Sequence, residues 1–265
     1  MRKKVIVSIL SVAVMAVILL TLGWHHKTNQ KPVSSTPVKY TYVALGDSIT
    51  SEHGPSGSFT KNYSDYLSKT YSKNVNLINL GINGWASDDL LNALTTSGHY
   101  IDSVKKANLI TVNIGSNDIG QGVASVTSQV SGSDIDSQAA LQKTAKSFEK
   151  NYTAILQKVR DLNPSAILLV MNIYNLNPNL PGLPDDKYGV GSIWVPKFNE
   201  IISDPVTKDK YKIQGIADVY TTFGANMLTL TNIQKGDGDI HPSVAGCQAI
   251  SDEFAKLTPN LNNIK

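Results

Sequence analysis

Ser48, Asn117 and His241 are the side chains of this sequence whose type and setting could together carry nucleophilic acyl chemistry. Ser48 stands in Gly46-Asp47-Ser48-Ile49-Thr50, after the apolar run Tyr40–Leu45. The glycine allows a sharp turn, and a serine at the carboxyl edge of a strand is either a nucleophile or the N-cap of a following helix. A second run leads into Gly81-Ile82-Asn83-Gly84, where closely spaced glycines let a backbone N–H approach a ligand and equally serve a plain turn. A third leads into Gly115-Ser116-Asn117-Asp118, whose Asn117 amide could donate to an oxyanion or close an Asx-turn. His241 is the one histidine of five with carboxylates close by and a strand-end-like setting, in Asp237-Gly238-Asp239-Ile240-His241-Pro242. Asp237, Asp239 and His241 alternate as loop ligands of a cation can, but no further ligand cluster accompanies them, and no metal is expected.

Elements that would hold these residues can be read from the apolar pattern. Tyr40–Leu45, Val75–Leu80, Leu109–Ile114 and Ala166–Met171 are rich in Val, Ile and Leu without strict alternation, with Ile213–Val219 as a weaker fifth run. Such runs suit strands of a parallel sheet buried on both faces. Leu141, Ala145, Phe148, Tyr152, Ile155, Leu156, Val159 and Leu162 recur at helical spacing, and Asn163-Pro164 ends that helix. Further helices are expected at 87–94, 193–202 and 243–257. The alternation predicts an α/β protein, a three-layer sandwich on a mostly parallel five-stranded sheet. Ligands of such sheets bind beyond the strands' carboxyl ends, where the candidate residues lie. Tyr174–Gly191, rich in Asn, Pro and Gly, reads as a binding element or lid, with Leu176, Leu180, Leu183 and Trp194 available to line an acyl pocket.

The four pieces, in this order, resemble the SGNH hydrolases, also called the GDSL esterase/lipase family. The likeness runs from Tyr42 to Ala249, through VALGDSIT, NLGINGWAS, NIGSNDIG and DGDIHPSVAG. It implies a flavodoxin-like fold, Ser48 as nucleophile, His241 as general base, and an oxyanion hole formed by the Ser48 and Gly84 N–H groups and the Asn117 amide. The stretch Asn172-Ile173-Tyr174-Asn175 looks like that of secreted lipase-like members from spore-forming bacteria. The family's usual aspartate, three residues before the histidine, is replaced here by Gly238. Asp239 is the expected partner of His241, with Asp237 or a backbone carbonyl as alternatives.

These residue types imply a serine esterase or lipase that works through an acyl-enzyme and needs no cofactor. Its expected substrate is a small-molecule or lipid ester. Two other readings stand beside it: a polysaccharide O-deacetylase of the same family, and a non-catalytic surface binding module. An ordinary α/β-hydrolase is excluded, because no serine has glycine at both the second preceding and the second following position.

Residues 1–28 read as a membrane anchor or signal segment, since Arg2, Lys3 and Lys4 precede twenty uncharged residues, Val5–Trp24. Residues 29–38, with Pro32, Ser34, Ser35, Thr36 and Pro37, read as a flexible linker, and 39–265 as the hydrolase domain. An extracytoplasmic location is expected, either tethered or released by cleavage. Lys and Arg number 24 against 21 Asp and Glu; the three N-terminal cations account for the excess, so the domain has no basic surplus for nucleic acid. Cys247 is the single cysteine, so no internal disulfide can form, and it reads as a small buried residue.

Overall fold

A computed structural model of the chain describes residues 40–51, 57–127, 134–177, 186, 189–233 and 239–261. The expected anchor and linker, together with Asp237, Leu180 and Leu183, lie outside the described residues. Among those described, no helix is long and apolar enough to cross a membrane.

The chain runs β1 (Tyr40–Gly46), α1 (Phe59–Tyr71), β2 (Val75–Gly81), α2 (Ser87–Thr96), α3 (Gly98–Lys106), β3 (Leu109–Asn113), α4 (Ser116–Thr127), α5 (Asp134–Leu162) and β4 (Ile167–Met171). A π-turn (Val190–Trp194) then leads into α6 (Val195–Ile202), followed by α7 (Pro205–Lys210), β5 (Gly215–Ala217), α8 (Val219–Phe223), α9 (Met227–Leu230) and α10 (Val244–Leu257). The five strands form one sheet in the order β2-β1-β3-β4-β5, and every pairing is parallel. Tyr42 of β1 lies opposite Leu77 on one side and Leu109 on the other. The connection leaving β1 goes to one neighbour and the next connection returns to the other. A crevice therefore opens at the carboxyl ends of β1 and β3, the position where open sheets of this kind bind ligands.

Alternate strand residues feed two cores. Val43, Leu45, Ile110, Val112, Leu168 and Val170 meet one helical layer, which includes Leu90, Val104, Phe148, Tyr152, Ile155 and Phe198. Tyr42, Ala44, Leu109, Leu169 and Met171 meet the other, which includes Phe59, Tyr63, Leu67, Ile250 and Phe254. Burial on both faces explains why β1, β3 and β4 read as continuous apolar runs. The expectation fails for β2, an edge strand whose residues are mostly only half-buried. Lacking a second neighbour and full helical cover, it tolerates Asn76 and Asn79.

Helix boundaries follow local chemistry. The Ser58 hydroxyl accepts from the Lys61 N–H at 3.1 Å and starts α1, which buries Phe59, Tyr63 and Leu67 one turn apart. Ser243 caps α10 in the same way through the Gly246 N–H. The end of α5 is fixed by Asn163, whose amide donates to the Val104 and Ala107 carbonyls, both at 2.8 Å. That helix begins earlier than its apolar spacing indicates, at Asp134 rather than Leu141. Regular helix begins at Val195 rather than Ile193, because residues 190–194 form the wider π-turn. Cys247 is buried in α10.

Candidate active site

The β1 strand delivers Ser48 through a turn too tight for any side chain at its hinge. A Cβ on Gly46 would stand 2.3 Å from both the Asn113 carbonyl oxygen and the Thr50 Oγ1. Asp47 then turns inward. It is fully buried, and its Oδ1 accepts from the Ile49 N–H at 3.0 Å and the Asn113 amide at 3.1 Å. Its Oδ2 has no hydrogen-bond partner among the described residues. Burial pushes this carboxyl up to about 7, against the lowering effect of the Ile49 N–H. The Asp47 carbonyl accepts from the Thr50 and Ser51 N–H groups, which closes the turn and leaves Ser48 facing outward. Ser48 does not serve as a helix cap, since its hydroxyl meets His241 and the next described helix is capped by Ser58.

Ser48 Oγ lies 2.8 Å from His241 Nε2, across 193 residues of sequence. On the far side of the ring, Nδ1 lies 2.7 Å from Asp239 Oδ1, which also accepts from the His241 backbone N–H at 3.0 Å. Burial raises the Asp239 carboxyl, but these His241 donors outweigh it and hold the group below its ordinary value. Asp239 is thus ionised at neutral pH and can keep the Nδ1 proton in place, so that Nε2 is the acceptor facing Ser48. The loop carrying His241 is pinned by the Asn232 N–H on the His241 carbonyl at 2.9 Å and by the Thr231–Pro242 bridge.

Gly84 and Asn117 stand on the same cleft as Ser48 and His241. Gly84 has φ +79, a left-handed backbone that side-chain-bearing residues rarely adopt, with open space around it. Asn117 occupies the first turn of α4, a helix that the Gly- and Asn-rich sequence does not announce. Its amide donates to the Trp85 carbonyl at 2.8 Å, and a primary amide carries a second N–H. The next residue, Asp118, is buried and accepts from both the N–H (2.9 Å) and the hydroxyl of Ser87. Burial raises its carboxyl to about 6, with the Ser87 hydrogen bonds opposing. Asn117 and Asp118 together tie the first turn of α4 to the loop that carries Gly84.

The cleft encloses about 620 Å³. Beside the polar residues it is walled by Ile49, Ile119, Val123, Leu176, Val190 and Ile240, and among the described residues no Lys, Arg, Asp or Glu lines it. Both described ends of the long Tyr174–Gly191 segment reach it, through Tyr174, Leu176 and Asn177 at one end and Val190 at the other. Asp186 clasps these ends together, accepting from the Asn177 amide and from the Gly191 and Ser192 N–H groups. Of the expected pocket residues, Leu176 lines the cleft. Trp194 instead packs in the core, where its bulk lies over Gly122. Ile119 and Val123 went unread, although their spacing of four puts them on one helical face. Among the described residues, no group of three His, Cys, Asp or Glu side chains could hold a metal ion.

Known proteins share this architecture. The lipase Lip_vut3 from a goat rumen metagenome superposes with a TM-score of 0.64 at 22% identity, over 82% of this chain and 97% of that one. TesA gives 0.55 at 17% identity, over 82% and 97%. Axe2, an acetyl xylan esterase from Geobacillus stearothermophilus, gives 0.57 at 14% identity, over 83% and 94%. At these identities the likeness is one of fold. The Bacillus subtilis (strain 168) protein YpmR is 27% identical over 213 residues, which is 79% of this chain and 77% of that protein. The profile of the GDSL-like Lipase/Acylhydrolase family matches residues 44–249, nearly the whole folded domain, and the chain belongs to that family of hydrolases.

Proposed function

We propose that the protein is a serine esterase that hydrolyses carboxylic acyl esters, with Ser48 as nucleophile, His241 as general base and Asp239 as the group that orients it. The contact that carries this reading is Ser48 Oγ to His241 Nε2 at 2.8 Å, backed by Asp239 on Nδ1. Ser48 attacks the acyl carbonyl carbon as its proton passes to Nε2. The carbonyl oxygen takes the negative charge and accepts from the Ser48 and Gly84 N–H groups and the second N–H of the Asn117 amide. The tetrahedral species collapses by breaking the bond to the alcohol oxygen, which receives the proton from His241. Water, deprotonated by the same imidazole, then releases the acid from Ser48.

The largely aliphatic wall that the described residues give the cleft favours acyl chains longer than acetyl. Polysaccharide O-deacetylation is the second reading, favoured by the amides of Asn83 and Asn177 on the same cleft, which suit sugar hydroxyls. The basic-then-apolar stretch at 1–28 supports an extracytoplasmic location, anchored or released. Recovery of the full chain from the cytoplasm alone would reject that location.

The test is hydrolysis of p-nitrophenyl esters from acetate to palmitate by the full chain, with labelling by a fluorophosphonate probe. Activity on chains longer than acetate and labelling of the wild type are expected, with both abolished in Ser48→Ala. A maximum at acetate would move the deacetylase reading ahead. A folded wild type that neither hydrolyses nor labels would leave a binding module.

A further inference from the structure

Asn172-Ile173-Tyr174-Asn175 directly follows β4 and has no part in the mechanism just described. Its first two residues are clamped on both sides. The Asn172 side chain donates to Asp218 Oδ1 at 2.8 Å and accepts from the Tyr220 N–H at 2.9 Å. The Asn199 side chain of α6 accepts from the Ile173 N–H and donates to the Ile173 carbonyl, both at 2.8 Å. The backbone entering Tyr174 is thereby fixed to α6 and to the start of α8. The Tyr174 ring is fully buried and stacks on Phe223, with centroids 4.6 Å apart and planes 15° apart. Its hydroxyl donates to the Ile240 carbonyl at 2.8 Å, one residue before His241.

We infer that Tyr174 is a positioning residue, whose hydroxyl holds the Ile240 carbonyl and thereby sets the His241 imidazole within reach of Ser48. The inference rests on the ester-hydrolase reading above. His241 is also held by Asp239, from two residues away, by Asn232, and through the pairing of its neighbour Pro242 with Thr231. None of these belongs to the sheet. Ser48 is placed by β1, so a fixed distance between base and nucleophile needs a link from the sheet to the histidine loop. Tyr174 is such a link, because it extends directly from β4. Burial pushes its phenol well above the usual range, so it remains a donor throughout the working pH range. A general base functions at about 2.6–3.2 Å from its proton source, and a displacement of about 1 Å can lower turnover by about 100-fold. One neutral hydrogen bond, by contrast, is a small part of the folding free energy.

Tyr174 also lines the cleft, so a role confined to the acyl wall is the rival explanation. The two differ in which constant they change. Tyr174→Phe in the full chain is expected to lower kcat by about 10-fold on p-nitrophenyl acetate and octanoate alike, with KM within about twofold of wild type. In an Asp239→Ala background, where the ring is already loosened, the same change should cost less than about threefold. Phe223→Leu, which keeps the hydroxyl but removes the stacking ring, should give a smaller kcat loss with the same independence of chain length. Wild-type kcat in Tyr174→Phe, or a change confined to KM for octanoate, would overturn the inference. So would full additivity with Asp239→Ala. If the folded wild type neither hydrolyses nor labels, the ester-hydrolase reading itself fails, and retained activity in Ser48→Ala would remove Ser48 as its nucleophile; if Ser48→Ala is inert while Tyr174→Phe behaves as wild type, the positioning role alone is lost.

Discussion

The two halves of the candidate site are built differently. Ser48 and Asn117 issue from β1 and β3, adjacent central strands buried along almost their whole length, and behind them stand the buried carboxyls Asp47 and Asp118. His241 and Asp239 come from a loop, with side chains 23% and 28% exposed, joined to its surroundings by a few hydrogen bonds and one bridge. The contrast suits the chemistry. In the proposed mechanism the oxyanion must meet donors already in place, since reorganising them at the moment of reaction would consume the stabilisation they provide. In the proposed reaction the imidazole passes a proton between two oxygens in turn, so the ring has to tilt slightly while the Tyr174 link keeps its loop within reach of Ser48. Rigidity on the first side is reached by burying acids that water would ionise readily.

Changes on the rigid side should therefore do the greater damage. Asn117→Ala is expected to lower kcat by about 10²–10³ with the fold intact. A kcat within about threefold of wild type would show that the amide does not meet the oxyanion. On the loop side, Asp239→Ala should cost roughly 10- to 100-fold, because the Asn232 N–H still holds the His241 backbone and solvent partly replaces the carboxylate. A loss exceeding that of Asn117→Ala would reverse the ranking of the two halves.

The smallest effect is on stability and separates the halves by pH. Asp47 and Asp118 are raised by burial to about 7 and about 6, from an unfolded value of 3.8. Between the unfolded and folded values the native state holds protons that the unfolded chain has released. These groups therefore contribute stability at low pH that is lost as pH rises through the folded values, at up to about 1.4 kcal/mol per pH unit for each group. Asp239 has the opposite sign: its value is depressed, so its contribution is present above the unfolded value and lost as pH falls through the folded one. Urea midpoints of the wild type should fall between about pH 4.5 and 7.5, and Asp47→Asn should flatten the part between about 6 and 7. An unchanged slope in that variant would mean that Asp47 is ionised in the folded protein.

Much of the sheet and the segments holding Ser48 and Asn117 were legible because β1, β3 and β4 are dense apolar runs that lead into glycine or asparagine, as in Leu45-Gly46 and Asn113-Ile114-Gly115. Other features were hidden for definite reasons. Helix α4 begins Ser-Asn-Asp and carries Gly120 and Gly122, residues that disfavour helix in isolation. Packing overrides them, since Gly122 lies beneath Trp194 and Thr144, where a Cβ would collide. Helix α1 was legible in principle through Phe59, Tyr63 and Leu67, but tyrosines and threonines obscured the spacing. The links from Tyr174 to Ile240 and from Asp118 to Ser87 join residues 66 and 31 positions apart, and no local pattern encodes them. Asp239 differs: it lies two residues from His241, so proximity alone named it among the candidates.

The 193-residue separation between Ser48 and His241 has a consequence for biogenesis. On a ribosome, Ser48 emerges early and His241 almost last, after every strand of the sheet has been made. On the proposed mechanism, any product that stops before His241 lacks its general base, however well its first strands have paired. On that mechanism unfinished chains hold no active form, and regain of activity after unfolding times the closure of a loop that spans most of the described domain.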